Sequence, residues 1–305
     1  MPPRCKTAGG RIRVAAAVGL WRFGAPMTAP TIALLDNGSL RPAATLALRS
    51  TAAALGARLG RAVAPVSLLH SAKIPAAELD GVAAETFGLW LRRVAEAGAT
   101  EVVVVPHFLG PSRALTEYLP ERVAKLGETW PELRVRVARA LGEDGAGVGV
   151  LAQVLEDRVR ERIAVGPGTA AAVAVVDHGS PEPLVTAVRD AVAARLCERL
   201  AGAVQAVAPC SMERRQGDEY AFADPLLEVL LDRPPFDSGR VVAAMLFLAP
   251  GRHAGPAGDV AQICRAAEAR HPGLQVEMTE LLGGDPRIVE LLARRFGETL
   301  KRSLS

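Results

Sequence analysis

Short apolar runs recur along the chain, each bounded by turn-forming residues, with longer amphipathic stretches between them. Residues 32–35, 64–69, 101–106 and 134–138 make one set of runs; 173–176, 204–208, 240–247 and 274–278 make a second. Short runs rich in branched aliphatic residues predict strands, and near-continuous apolarity predicts strands covered on both faces. The stretches between them carry helical spacing. Leu48, Ala52, Leu55 and Leu59 share one face, as do Val185, Val188, Val192, Leu196 and Leu200, and Val260, Ile263, Cys264 and Ala267. Residues 151–163 are also helical in pattern. Strands alternating with helices predict a mainly parallel sheet with helices on both sides.

The two sets are copies of one unit. Asp36-Asn37-Gly38-Ser39 and Asp177-His178-Gly179-Ser180 each follow the first strand of a set, 141 positions apart. Trp130-Pro131 and His271-Pro272 repeat that interval. The runs 108–113 (FLGPSR) and 247–252 (FLAPGR) repeat it at 139. Several matches in one order at nearly one interval mark an internal duplication. The expected fold is therefore α/β, built as two tandem three-layer α/β/α units. The expected domains are 28–149 and 170–305, joined by a linker at 150–169 that follows the glycine-rich 142–149. Residues 1–27 stand apart: Arg4, Lys6, Arg11 and Arg13 precede a short apolar run that Trp21-Arg22-Phe23 interrupts. They are expected to be a disordered leader or a start placed upstream of Met27, in preference to a signal peptide.

Composition narrows the function. A net charge of +3 on 305 residues is too small to argue for nucleic acid or a membrane surface. No apolar run approaches the roughly 20 residues that cross a bilayer. The four cysteines are scattered without a CxxC, which fits a reducing cytoplasm and offers no zinc-site spacing.

The chemistry gathers at the DxGS turns. A turn between a strand and a helix lies at the carboxyl edge of a sheet, where open α/β sheets bind ligands. Gly179 permits the tight turn, and Ser180 is positioned to cap the helix. The copies differ here: Asn37 stands opposite His178, and Ala114 opposite His253. Both imidazoles thus fall in the second copy, which points to a working pair and a degenerate first copy. Asp36 and Asp177 read as turn stabilisers.

The order strand–DHGS–helix, then strand–FLAPGRH followed by Gly258-Asp259-Val260, resembles the sirohydrochlorin chelatases, the CbiX-type cobaltochelatases and their ferrochelatase relatives. The resemblance covers most of residues 30–300, twice over. It implies a class II chelatase fold and an ATP-independent lyase that inserts Co2+ or Fe2+ into sirohydrochlorin or a related tetrapyrrole, as in cobalamin or siroheme biosynthesis. It implies that His178 and His253 bind the incoming metal, with Glu213 as the acidic candidate. Neutral imidazoles suit such ions and leave coordination positions open, and imidazole or carboxylate can accept the pyrrole protons. The polycarboxylate ring would lie between the copies, held by Arg252, Arg214, Arg215, Arg113, Ser180 and His107. The metal is substrate, and no nucleotide is implied because GxxxxGK[ST] is absent. Fused halves imply a monomer with an internal pseudo-dimer, or a homodimer. Cobalt, iron and nickel are not distinguished, nor is the exact ring.

Two other classes compete. A metal or tetrapyrrole carrier would keep the pocket without turnover. A hydrolase would use His178 as a base, but no GxSxG elbow accompanies it. His70 and His271 read as a strand end and a surface turn.

Overall fold

The computed structural model describes residues 29–165 and 171–302. The expected leader lies outside them. Eight strands form two parallel sheets. β1 (Thr31–Asp36), β2 (Val63–Ser67), β3 (Glu101–Pro106) and β4 (Arg134–Val137) assemble in the order β2-β1-β3-β4. β5 (Ala172–Asp177), β6 (Ala206–Ser211), β7 (Arg240–Met245) and β8 (Gln275–Met278) repeat it as β6-β5-β7-β8. The strands of one copy thus all point the same way, and their carboxyl ends share one edge.

The register shows which positions correspond. Leu34 pairs with Pro65 and Val105, and Val175 pairs with Pro209 and Ala244. First strands are thus offset by 141, second strands by 144 and third strands by 139. The helices α1 (Pro42–Leu59) and α5 (Pro183–Arg199) both open on a proline at the first turn, 141 positions apart. Proline suits that place because its missing N–H would have no partner there.

The sheets stand on either side of a shared helical layer. Ile32, Leu34, Val103 and Val105 on one sheet, and Val173, Val175, Val242 and Ala244 on the other, face a single buried core with α1, α5, α4 (Gly145–Val165) and α8 (Pro286–Lys301) between them. The alternate residues face outward into separate cores: Ala33, Leu35, Val102 and Val104 meet α2 (Phe87–Glu96) and α3 (Leu119–Gly127). Ala172, Ala174, Val241 and Ala243 meet α6 (Leu227–Leu230) and α7 (Asp259–Arg270). Burial on both faces explains why these strands lack polar alternation.

The terminal helices are exchanged. α4 ends the first copy yet packs on α5 and β7 of the second; α8 ends the second copy yet packs on α1 and β3 of the first. Buried Arg295 on α8 binds Asp144 and the carbonyl of Leu141 in the first copy. This interlock makes the halves one unit.

Two details depart from the sequence reading. Residues 145–149 are the first turn of α4, although three are glycine. Gly147 needs that identity, since a Cβ there would lie 1.8 Å from the Leu141 carbonyl oxygen. The strand expected at 204–208 runs instead over Ala206–Ser211, carrying its end closer to the cleft. No helix among the described residues is long and apolar enough to cross a membrane.

Candidate metal site

β5 delivers His178 at its carboxyl end. Gly179 follows with φ +89°, a left-handed value that favours glycine. A Cβ on Gly179 would lie 1.8 Å from the Glu213 carbonyl oxygen, so only glycine lets the loop after β6 approach this closely. Met212 and Glu213 donate backbone N–H groups to the carbonyls of Asp177 and His178, extending the ladder past the strand. Glu213 is thereby held beside the histidine, its Oε1 3.5 Å from His178 Nε2.

The loop after β7 supplies His253. The two imidazoles meet edge to face, ring centres 4.5 Å apart at 73°. Hydrogen bonds define both tautomers. His178 Nδ1 lies 2.8 Å from the Gly179 carbonyl oxygen, which can only accept, so Nδ1 carries the proton. His253 Nδ1 lies 2.7 Å from Asp259 Oδ2, with the same consequence for the carboxylate. In a neutral ring so held, the lone pair lies on Nε2, the form that binds a metal. Among the described residues no three His, Cys, Asp or Glu side chains are gathered into a metal-holding group. What exists is two lone pairs with a carboxylate beside one of them.

Behind His178 lies a buried polar chain. Ser211 Oγ donates to Asp177 Oδ1 at 2.7 Å and accepts from Arg189 at 2.6 Å, and Arg189 also binds the Ala223 carbonyl. Arg189 is 1% exposed, a guanidinium on the buried face of α5. Burial pushes the Asp177 carboxyl up, while Ser211, Arg189 and the Gly179 N–H pull it back. This network ties β5, β6 and the loop bearing Glu213 together.

The first copy has the same frame without the chemistry. Gly38 repeats Gly179 at φ +88°, packed on the Leu69 carbonyl as Gly179 packs on that of Glu213. Asn37, Leu69 and Ala114 stand in for His178, Glu213 and His253, and all three line one pocket of about 270 Å3. Leu48 replaces Arg189, so Asp36 has no guanidinium near it. Its Oδ1 is sealed from solvent without a partner, and burial pushes the carboxyl up to about 6.

A cleft of about 500 Å3 lies between the copies. Phe108 and Leu109 face Phe247 and Leu248 across it, with His178 and Ser180 at one side. His107 also borders it. That histidine is 6% exposed, its Nε2 is buried without a partner, and burial lowers its pKa to about 4. Ser180 does not cap α5; its hydroxyl accepts from the Glu182 N–H, and Glu182 takes the cap position.

The expected ring-gripping arginines are dispersed. Arg113 crosses between the copies to Glu182. Arg252 is 74% exposed as a side chain and lies 3.5 Å from Asp259. Arg214 turns inward onto Asp224 and the carbonyls of Arg215 and Gly217, while Arg215 stands over Tyr220. Away from the site, His271 pairs with Asp232 on the surface, and His70 takes φ +65° at the turn after β2. The sequence motif contains Asp259 but gave it no role, and Arg189 was not singled out. The signals were present: an acid six residues after His253 opening a helix, and a charge where the other copy has Leu48.

The CbiX family model matches residues 31–162 and again 172–299. The chain belongs to the CbiX family. Its two CbiX-like units correspond to the two sheets, and the fold is the chelatase α/β fold. Solved structures share that fold. "SirB from Bacillus subtilis with Fe3+" is 18% identical with a TM-score of 0.64, covering 90% of this chain and 96% of that one. The sirohydrochlorin chelatase SirB from Bacillus subtilis subspecies spizizenii in complex with cobalt is 17% identical at 0.63, covering 89% and 95%. CbiX, described as the terminal enzyme for biosynthesis of siroheme in denitrifying bacteria, is 19% identical at 0.57, covering 90% and 100%. Among curated protein sequences, none matches the chain.

Proposed function

We propose that this CbiX-family chain is a metal chelatase that inserts Co2+ or Fe2+ into sirohydrochlorin or a closely related tetrapyrrole, using only its second copy for the metal. The observation that carries the reading is the His178–His253 pair, 4.5 Å between ring centres with both Nδ1 atoms engaged by oxygen acceptors. Two neutral imidazoles hold a divalent ion while leaving positions for pyrrole nitrogens. Solved relatives of the same fold, one with Fe3+ and one in complex with cobalt, support a transition-metal ion as the substrate.

In this mechanism the ring enters the cleft and its nitrogens replace the open ligands of the held ion. Two pyrrole N–H bonds break, metal–nitrogen bonds form, and no electron is transferred. Glu213 accepts the two released protons in turn beside His178 and, with its side chain 57% exposed, passes each to water. Apolar walls at Phe108, Leu109, Phe247 and Leu248 flank the ring. Arg113 borders the cleft as a candidate for its carboxylates, and His107, its pKa lowered by burial to about 4, stays neutral beside it.

The test is an anaerobic visible-absorption assay with sirohydrochlorin and Co2+ or Fe2+. Multiple turnovers that His178→Ala and His253→Ala each reduce at least a hundredfold support the reading. Wild-type rates in either variant refute the metal role, and a stoichiometric spectrum without turnover favours a carrier.

A further inference from the structure

A larger cavity than the cleft, about 760 Å3, opens on the outer side of the first copy between α2 and α3. Its walls are apolar and aromatic: Leu68, Leu89, Leu126, Tyr118 and Trp130. Five charged side chains ring it, Arg92 and Glu96 from α2, and Arg122, Lys125 and Glu128 at α3. None of the five closes an ion pair among the described residues, although Arg93, next to Arg92, is paired with Glu85. Arg122 lies over Tyr118, 4.7 Å from its ring centre, with its Nε buried and unpartnered. Leu89 is 57% exposed at the mouth. Aromatic walls, an unpaired cation on each side and a volume in the ordinary ligand range describe a binding site.

The cavity neighbours the degenerate site. The small pocket of Asn37, Leu69 and Ala114 shares Leu68 and Tyr118 with it, and shares Asn37, Arg113 and Ala114 with the cleft. With Asn, Leu and Ala at the positions of the metal-facing side chains, the small pocket between cleft and cavity carries no imidazole to hold a metal.

We propose that the α2–α3 cavity is a second docking site for a flat conjugated polycarboxylate, the same class of molecule that the cleft is proposed to metallate. Cations on opposite walls suit carboxylates spaced around a ring rather than one clustered phosphate. Tyr118 and Trp130 supply faces for stacking. The identity of the ligand rests on the chelatase reading; the presence of an aromatic-anion site does not.

The experiment uses the full chain and a soluble metal-free porphyrin octacarboxylate as probe. Stoichiometry is read by visible absorbance and Trp130 occupancy by fluorescence, with Trp130→Phe identifying that residue's share of the signal. The expected result is quenching of Trp130 that Arg92→Glu/Lys125→Glu weakens at least tenfold, with one fewer ring bound per chain and an unchanged thermal midpoint. The milder Arg92→Gln/Lys125→Gln is measured alongside and is expected to weaken binding in the same direction. If both variants leave Trp130 quenching at wild-type affinity, or the probe never quenches Trp130, the proposal is overturned. An aromatic nucleotide that quenches where the porphyrin does not also overturns it. Loss of metal insertion with Trp130 quenching intact refutes the chelatase reading alone.

Discussion

The floor of the first copy buries two titratable groups at neighbouring strand ends, and their effects on stability oppose one another. Asp36 ends β1; His107 follows β3, its N–H bonded to the Leu35 carbonyl at 2.7 Å. Asp36 ionises near its ordinary 3.8 when unfolded but near 6 when folded. Its contribution is whole below pH 3.8 and is lost as the pH rises through 6. At about 1.4 kcal/mol per tenfold, the shift makes the ionised form cost about 3 kcal/mol at neutral pH. His107 moves from 6.5 to about 4. Its contribution is whole above pH 6.5 and is lost as the pH falls through 4, again by about 3 kcal/mol. In the native chain the two slopes largely cancel between pH 4 and 6. Asp36→Asn removes one of them, so its stability relative to the native chain should rise by about 2–3 kcal/mol from pH 4 to pH 7. His107→Leu, which copies Leu246 of the other half, should do the reverse and be most stabilising at pH 4. Urea unfolding of all three proteins at pH 4, 5, 6 and 7 measures both differences. Differences that stay level with pH within about 0.5 kcal/mol would refute the burial argument for both groups.

Three further outcomes follow from the second copy. Asp259→Ala should weaken Co2+ binding about 10- to 100-fold by releasing His253, while Asp259→Asn, which can still accept from Nδ1, should keep the ring in place and lose less; equal, native-like titrations would show that Asp259 plays no positioning part. Arg189→Leu, the residue the first copy uses, should cost about 3–5 kcal/mol by leaving Asp177 and Ser211 buried without their donor, and an unchanged unfolding midpoint would contradict that. Gly179→Ala and Gly38→Ala should both destabilise by roughly 1–3 kcal/mol through a forced left-handed residue and a clash, but only Gly179→Ala should slow metal insertion beyond its effect on stability; equal activity loss in the two would place the cause in folding.

Much of this architecture was legible because burial on both faces writes itself into a strand. Residues 172–176 and 102–106 are so uniformly apolar that sheet type and order of elements follow. The duplication exposed the candidate site, since Asn37 and Ala114 stand where the second copy has His178 and His253. Other features arise only in the tertiary packing. Leu69 answers Glu213 at an interval of 144, which a search at 141 passes over because the loop before the second strand differs in length. The exchange of α4 and α8 depends on contacts between distant residues, and no local pattern encodes it. The glycines at 145, 147 and 149 signal a loop by propensity, yet packing overrides that weak preference: Gly147 is required beside the Leu141 carbonyl. Ser180 reads as a cap from its place after a strand, but the chain needs two more residues before Pro183 starts the helix.

On the proposed function, one metal is held, in the second copy, by His178 and His253. Anaerobic Co2+ titration followed by visible d–d absorption tests it without any tetrapyrrole. The expected result is one equivalent bound per chain, with its absorption abolished in His178→Ala/His253→Ala and untouched in Asn37→Ala. Two equivalents, or a spectrum that survives the loss of both histidines, would contradict it.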